Sequence, residues 1–154
     1  MRGPSAIELG QSLRKGRTDP VALVEDVFDR IERVGDPAIF IETLKPRAMA
    51  EARASRQRLK AGNPASLLDG VPIAWKDLFD LKGRVTTAGS MVLKSNAPAK
   101  ADAALVAAAK TAGLLSVGCL NMTEFAYSGI GLNPHYGNPR NPNGSGAARA
   151  PGGS

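Results

Sequence analysis

Through most of the chain up to Leu59 the apolar positions recur at helical spacing. Ser5 stands before a polar stretch in which Ile7, Leu9 and Leu13 share one face, and Gly16 is a stop signal. Thr18-Asp19-Pro20 offers a second start, a capping residue followed by a proline suited to the first helical turn. Leu23, Val24, Val27, Phe28, Ile31 and Val34 then form one apolar stripe, which Gly35-Asp36-Pro37 ends. Ile39-Phe40-Ile41 reads as a short strand. Pro46 opens a third helix through Ala48, Met49, Ala52 and Leu59, closing near Gly62-Asn63-Pro64.

The pattern then changes. Leu67 to Trp75 reads as a turn around Asp69-Gly70 followed by a buried strand. Gly83, Gly89 and Pro98 interrupt the next stretch too often for one long element. Asp102 is placed to cap a helix over 103–109 that is apolar nearly all round, which predicts burial. Gly113 stops it, and Leu114 to Gly118 follows as a buried strand. Strand, helix and strand in this order predict an α/β crossover with parallel strands. From Ser128 onward glycines and prolines break every period, as in a long functional loop, and Asn143 to Ala148 resembles a flexible linker. There is no internal repeat.

Composition narrows the class. The chain has 154 residues, enough for one modest domain with a core, and no apolar run approaches the roughly 20 residues of a membrane span. The N-terminus lacks the apolar core of a signal peptide, and a single cysteine, Cys119, excludes an internal disulfide framework and suits a small buried residue. A cytoplasmic location is therefore expected. With one cysteine and one histidine, His135, no His/Cys metal site is expected, and no cofactor is implied. The net charge is +6, but the basic residues are not interleaved with aromatics. Arg53, Arg56, Arg58 and Lys60 read as a solvated helix face, so no direct nucleic-acid contact is expected.

Two residues carry candidate chemistry. Lys76 follows the apolar run Ile73-Ala74-Trp75, where partial burial would disfavour its ammonium and make a neutral amine available as a base. The plainer reading is a surface lysine at a strand end, paired with Asp77. Ser154 follows Pro151-Gly152-Gly153, a turn in which two glycines allow close backbone approach. Its plainer reading is a turn residue. It is not the nucleophile elbow of the α/β-hydrolases, which needs Gly-x-Ser-x-Gly.

Taken in order, five segments change the balance: Asp69-Gly70-Val71-Pro72-Ile73-Ala74-Trp75-Lys76-Asp77, Thr86-Thr87-Ala88-Gly89-Ser90, Asn121-Met122-Thr123-Glu124-Phe125-Ala126, Gly137-Asn138-Pro139-Arg140-Asn141-Pro142 and Pro151-Gly152-Gly153-Ser154. Together they resemble the amidase signature family. The resemblance runs from about Leu67 to Ser154, and the N-terminal helices also look like those of that family.

The resemblance implies an α/β fold, the N-terminal part of an α/β/α sandwich with a mixed β-sheet preceded by N-terminal helices. Residues 1–154 would form an incomplete domain: a helical region over 1–64 and, over 65–154, the start of the α/β core ending at a loop with a cis serine. It implies hydrolysis of carbon–nitrogen bonds of small-molecule amides by a Ser-Ser-Lys triad. Lys76 matches the lysine and Ser154 the bridging serine, whereas the nucleophilic serine and the oxyanion hole belong to a segment further along the family's chain. These 154 residues alone are therefore expected to be inactive. Ala126 and Ser128 match the stretch lining the acyl pocket, with Phe125 and Tyr127 either beside it or in the core, and His135 is expected in a loop. The alternatives are the glutaminase subunit of a tRNA-dependent amidotransferase, with its partner subunits, or an inactive remnant; a homodimer is a further possibility.

Overall fold

The computed structural model describes residues 3–142. Its elements are α1 (Ala6–Arg14), α2 (Pro20–Val34), β1 (Phe40–Thr43), α3 (Lys45–Lys60), β2 (Pro72–Lys76), α4 (Ala104–Thr111) and β3 (Leu115–Leu120), followed by a 3-10 turn at Glu124–Ala126. The strands lie in the order β1-β3-β2. β1 is antiparallel to β3 and the sheet is mixed, so β2 and β3 are the parallel pair joined through α4, as the crossover pattern predicts. Two compact units interleave along the chain. Among the described residues, one gathers 3–34, Leu44–Ala74 and Ala107–Val117; the other gathers Gly35–Thr43, Trp75–Val106 and 118–142.

The first unit is built on three helices. At the start of α1 the Ser5 hydroxyl accepts from the Glu8 amide at 3.3 Å, while the Glu8 carboxylate accepts from the Ser5 amide at 2.7 Å. This reciprocal pair satisfies two amide donors that a helix N-terminus would otherwise leave open. Of the predicted apolar face only Leu13 is buried; Ile7 remains 66 % exposed. The contact that seats α1 is instead Gly10, where a Cβ would lie 2.2 Å from the Leu67 carbonyl oxygen. Asp19 caps α2, its Oδ1 accepting from the amides of Val21 and Ala22 at 2.9 and 3.0 Å. The stripe on α2 then does what its period requires: Val21, Val24 and Phe28 pack with Ala48 and Ala52 of α3 and with Leu115 and Val117 of β3.

Two of the four basic residues assigned to a solvated face of α3 are engaged. Arg56 pairs with Asp19, and Arg58 holds Asp69 through Nε at 2.8 Å and Nη2 at 2.7 Å. Asp69 is fully buried, and its side chain also accepts from the Ala65 amide at 2.8 Å. Burial pushes its pKa up, but the guanidinium and the hydrogen bonds outweigh burial and hold it below the ordinary value. A Cβ on Gly113, whose φ is +86°, would come within 2.5 Å of Asp69 Oδ1, so that turn requires glycine.

In the second unit β1 pairs Phe40 with Leu120 and Glu42 with Cys119, so one extra residue on β1 bulges the ladder. Cys119 is buried, as expected of a small apolar side chain. The predicted burial of α4 is not observed. Only Val106 is buried and Leu105 is 58 % exposed, because an alanine-rich helix spreads little apolar area and only one edge of it meets other described residues. Asp102, expected as its cap, accepts from the Lys82 amide at 2.8 Å. Among the described residues no helix is long and apolar enough to cross a membrane.

Candidate active site

β2 ends at Lys76, which is half-buried. Its carbonyl accepts from the amides of Leu78 at 2.7 Å and Phe79 at 3.2 Å, so the chain turns sharply as soon as the strand ends. Among the described residues no carboxylate lies within salt-bridge distance of the Lys76 amine. The expected alternative partner, Asp77, is committed elsewhere. Its side chain is fully buried and meets Arg84 Nη1 at 2.5 Å through Oδ1. Oδ2 accepts from the Thr87 hydroxyl, from the Thr87 amide at 3.2 Å and from the Gly89 amide at 3.3 Å. The Arg84 side chain is itself 7 % exposed and also pairs with Glu42 at 2.7 Å.

The loop so held is conformationally costly. Ala88 and Gly89 have φ of +51° and +67°, and Phe125 and Ala126 have φ of +53° and +57°. Left-handed backbone at three residues with side chains is unusual, and such residues concentrate at functional sites. The Phe125 amide donates to the Ala88 carbonyl at 2.9 Å, joining the two strained turns.

A buried asparagine and a carboxylate fasten the surrounding segments. Asn133 donates to the carbonyls of Gly89 and Met122, both at 2.7 Å, and accepts from the amides of His135 at 2.8 Å and Tyr136 at 3.0 Å. All four hydrogen-bonding positions of its side chain are thereby used. Glu124 Oε1 accepts from the Ser90 hydroxyl at 2.6 Å and lies 3.0 Å from His135 Nε2. The Ser90 hydroxyl, opposed by partial burial and assisted by His135, holds the Glu124 carboxyl below its usual range.

Of the residues singled out in the sequence, Lys76 and Ala126 belong to this arrangement. They are linked through Asp77, the 87–89 loop and Phe125. Ser128 is exposed, and its hydroxyl accepts from the Ile130 amide at 3.1 Å. Ser154 lies outside the described residues. Phe125 and Tyr127, for which a core position was the alternative, are 51 % and 94 % exposed; the left-handed φ at Phe125 swings its ring outward. Sequence reasoning missed the roles of Asp77, Arg84, Glu124 and Asn133. The signal available was an Asx turn at Asn133-Pro134 and an acidic residue directly after the lysine.

Among the described residues no group of three His, Cys, Asp or Glu side chains could hold a metal ion. The groups gathered around the end of β2 are the Lys76 amine, the Asp77–Arg84 ion pair, the Thr87 hydroxyl and backbone amides and carbonyls.

Comparison with known proteins gives the family and the fold. The Amidase family model matches residues 22–154. Over 150 residues the chain is 40 % identical to the AtzE subunit of 1-carboxybiuret hydrolase from Pseudomonas sp. (strain ADP), covering 96 % of this chain and 32 % of the relative. It is likewise 40 % identical over 150 residues to a glutamyl-tRNA(Gln) amidotransferase subunit of Myxococcus xanthus (strain DK1622), covering 96 % of this chain and 30 % of that protein. The chain thus spans about a third of the length of the curated relatives it matches. Among solved structures, the peptide amidase from Stenotrophomonas maltophilia superposes with a TM-score of 0.79 at 28 % identity, over 90 % of this chain and 30 % of that one. A bacterial aryl acylamidase of the amidase signature enzymes does so with a TM-score of 0.81 at 26 % identity, over 90 % and 29 %. The ordered motifs, the mixed sheet and these matches lead to one conclusion: the chain belongs to the amidase family and forms part of the amidase signature fold.

Proposed function

We propose that the protein hydrolyses a carbon–nitrogen bond of a small amide through a Ser-Ser-Lys triad to which this chain contributes Lys76 and Ser154. The observation that carries the reading is the freedom of Lys76. It is the half-buried last residue of β2 and has no carboxylate within salt-bridge distance among the described residues, while the adjacent Asp77 is paired with Arg84. An amine not held in an ion pair is free to reach a hydroxyl and take its proton.

In this scheme Lys76 takes a proton from the Ser154 hydroxyl as Ser154 takes one from a second serine. The oxygen of that serine attacks the amide carbonyl. The proton returns along the same path to the leaving nitrogen, and water then releases the acyl group from the serine. Ala126 and Ser128 line the acyl side of the substrate. The second serine and the oxyanion donors come from the part of the fold that follows the matching region, so the 154 residues alone are expected not to turn over. Lys76→Ala in the whole enzyme is expected to lower amide hydrolysis by about 10²–10⁴-fold with the fold intact. Hydrolysis at an unchanged rate sinks the reading.

A second reading follows from the Myxococcus xanthus relative, which belongs to a glutamyl-tRNA(Gln) amidotransferase. Here the same triad would release ammonia from glutamine for a partner protein. Glutamine as the preferred substrate, together with a co-purifying partner, selects this reading over a stand-alone amidase.

A further inference from the structure

We propose that Asp77 is a positioning residue that couples Lys76 to the turn carrying Ala126, by gathering three successive amides of the 87–89 loop. The roles given to Lys76 and Ala126 rest on the amidase reading above; the coupling itself rests on geometry.

The path is continuous. Asp77 follows Lys76 directly in the chain. Its carboxylate accepts from the amides of Thr87 and Gly89 and from the Thr87 hydroxyl, and its carbonyl accepts from the Ala88 amide at 3.0 Å. These contacts hold Ala88 in a left-handed conformation that an alanine does not choose unaided. That conformation aims the Ala88 carbonyl at the Phe125 amide, and Phe125 and Ala126 are left-handed in turn. A strained backbone persists only where its surroundings over-determine it, and here Asp77 supplies an acceptor for each of the three amides of the loop. Arg84 balances the charge of Asp77, and the Tyr136 hydroxyl donates to Thr87 Oγ1 at 3.4 Å, which leaves the Thr87 hydroxyl hydrogen directed at Asp77. The arrangement does two things together. It keeps the carboxylate away from the Lys76 amine, and it fixes the acyl-side turn relative to the end of β2.

Thr87→Val removes the hydroxyl while keeping the volume of the side chain, and Thr87→Ser restores the hydroxyl. In the whole protein, Thr87→Val is expected to speed amide hydrogen exchange at Phe125 by about tenfold or more, because a hydrogen bond to a charged group is lost. It is expected to raise KM for amides more than it lowers kcat, with Thr87→Ser close to wild type in both. Faster exchange at Gly89 with no change at Phe125 overturns the coupling. If Thr87→Val does not melt cooperatively, Tyr136→Phe carries the test; it should speed Phe125 exchange by about twofold, and no change there overturns the proposal. The amidase reading fails separately. If Lys76→Ala leaves hydrolysis intact while exchange at Phe125 still answers to Thr87, the coupling stands and the assigned chemistry does not.

Discussion

Arg84, and not Lys76, neutralises Asp77. The guanidinium meets the carboxylate at 2.5 Å with both side chains buried, and its other edge is held by Glu42. Removing one partner of such a pair strands a charge away from water. Arg84→Met is expected to destabilise the protein by about 3–5 kcal/mol, with part of the loss recovered when Asp77→Asn is added. Urea melts of the two single variants and the double variant measure both numbers. Additive losses would show that the charges act independently.

Gly89 is the tightest point of the strained loop. With φ at +67°, an added Cβ would lie 2.8 Å from the Met122 carbonyl oxygen and 2.9 Å from Asn133 Nδ2. Gly89→Ala adds left-handed strain to a steric clash and should cost about 2–4 kcal/mol. Because Asn133 also binds the Gly89 carbonyl, the damage should reach the 133–137 loop. Thermal unfolding gives the first value, and chemical-shift changes at His135 and Tyr136 report the second.

Gly10 makes the corresponding demand on α1. A methyl group there would meet the Leu67 carbonyl at 2.2 Å, and backbone cannot yield as a side-chain tip can. Gly10→Ala would raise intrinsic helix propensity, yet it is expected to destabilise by about 1–3 kcal/mol or more, since the clash outweighs the propensity gain of roughly 1 kcal/mol. A higher melting temperature in this variant would show that α1 does not pack closely on residue 67.

Acid should loosen the helical unit through two aspartates. The Arg56 hydrogen bond, opposed by burial, lowers the pKa of Asp19, and the Arg58 contacts lower that of Asp69 against its burial; the ordinary value is 3.8 for both. A depressed folded value means that the unfolded chain binds protons first as pH falls. The stabilisation is thus complete above about pH 5 and is lost as pH drops below 3.8 through the folded values. Urea midpoints measured from pH 7 to pH 2.5 should be flat at first and then fall. Asp69→Asn, less stable at neutral pH, should fall less steeply. An identical slope in the variant would remove Asp69 from the account.

The apolar stripe of α2, the caps at Ser5 and Asp19, and the strand–helix–strand order around α4 were legible in the sequence. Each follows from local chemistry or from a period along the chain: a side-chain oxygen reaching an amide two or three residues away, or one face repeating every turn. The order of the motifs also disclosed the family and drew attention to Lys76 and Ala126. The partners of those residues were not legible. Whether Asp77 would face Lys76 or Arg84, and which carbonyl Phe125 would find, depends on backbone that lies 7 and 37 residues away. Sequence pattern treats Ala88, Phe125 and Ala126 as ordinary residues, because left-handed backbone there is imposed by distant contacts against local preference. The exposure of α4 escaped for a related reason: periodicity records which residues could be buried, and only tertiary packing decides which of them find a neighbour.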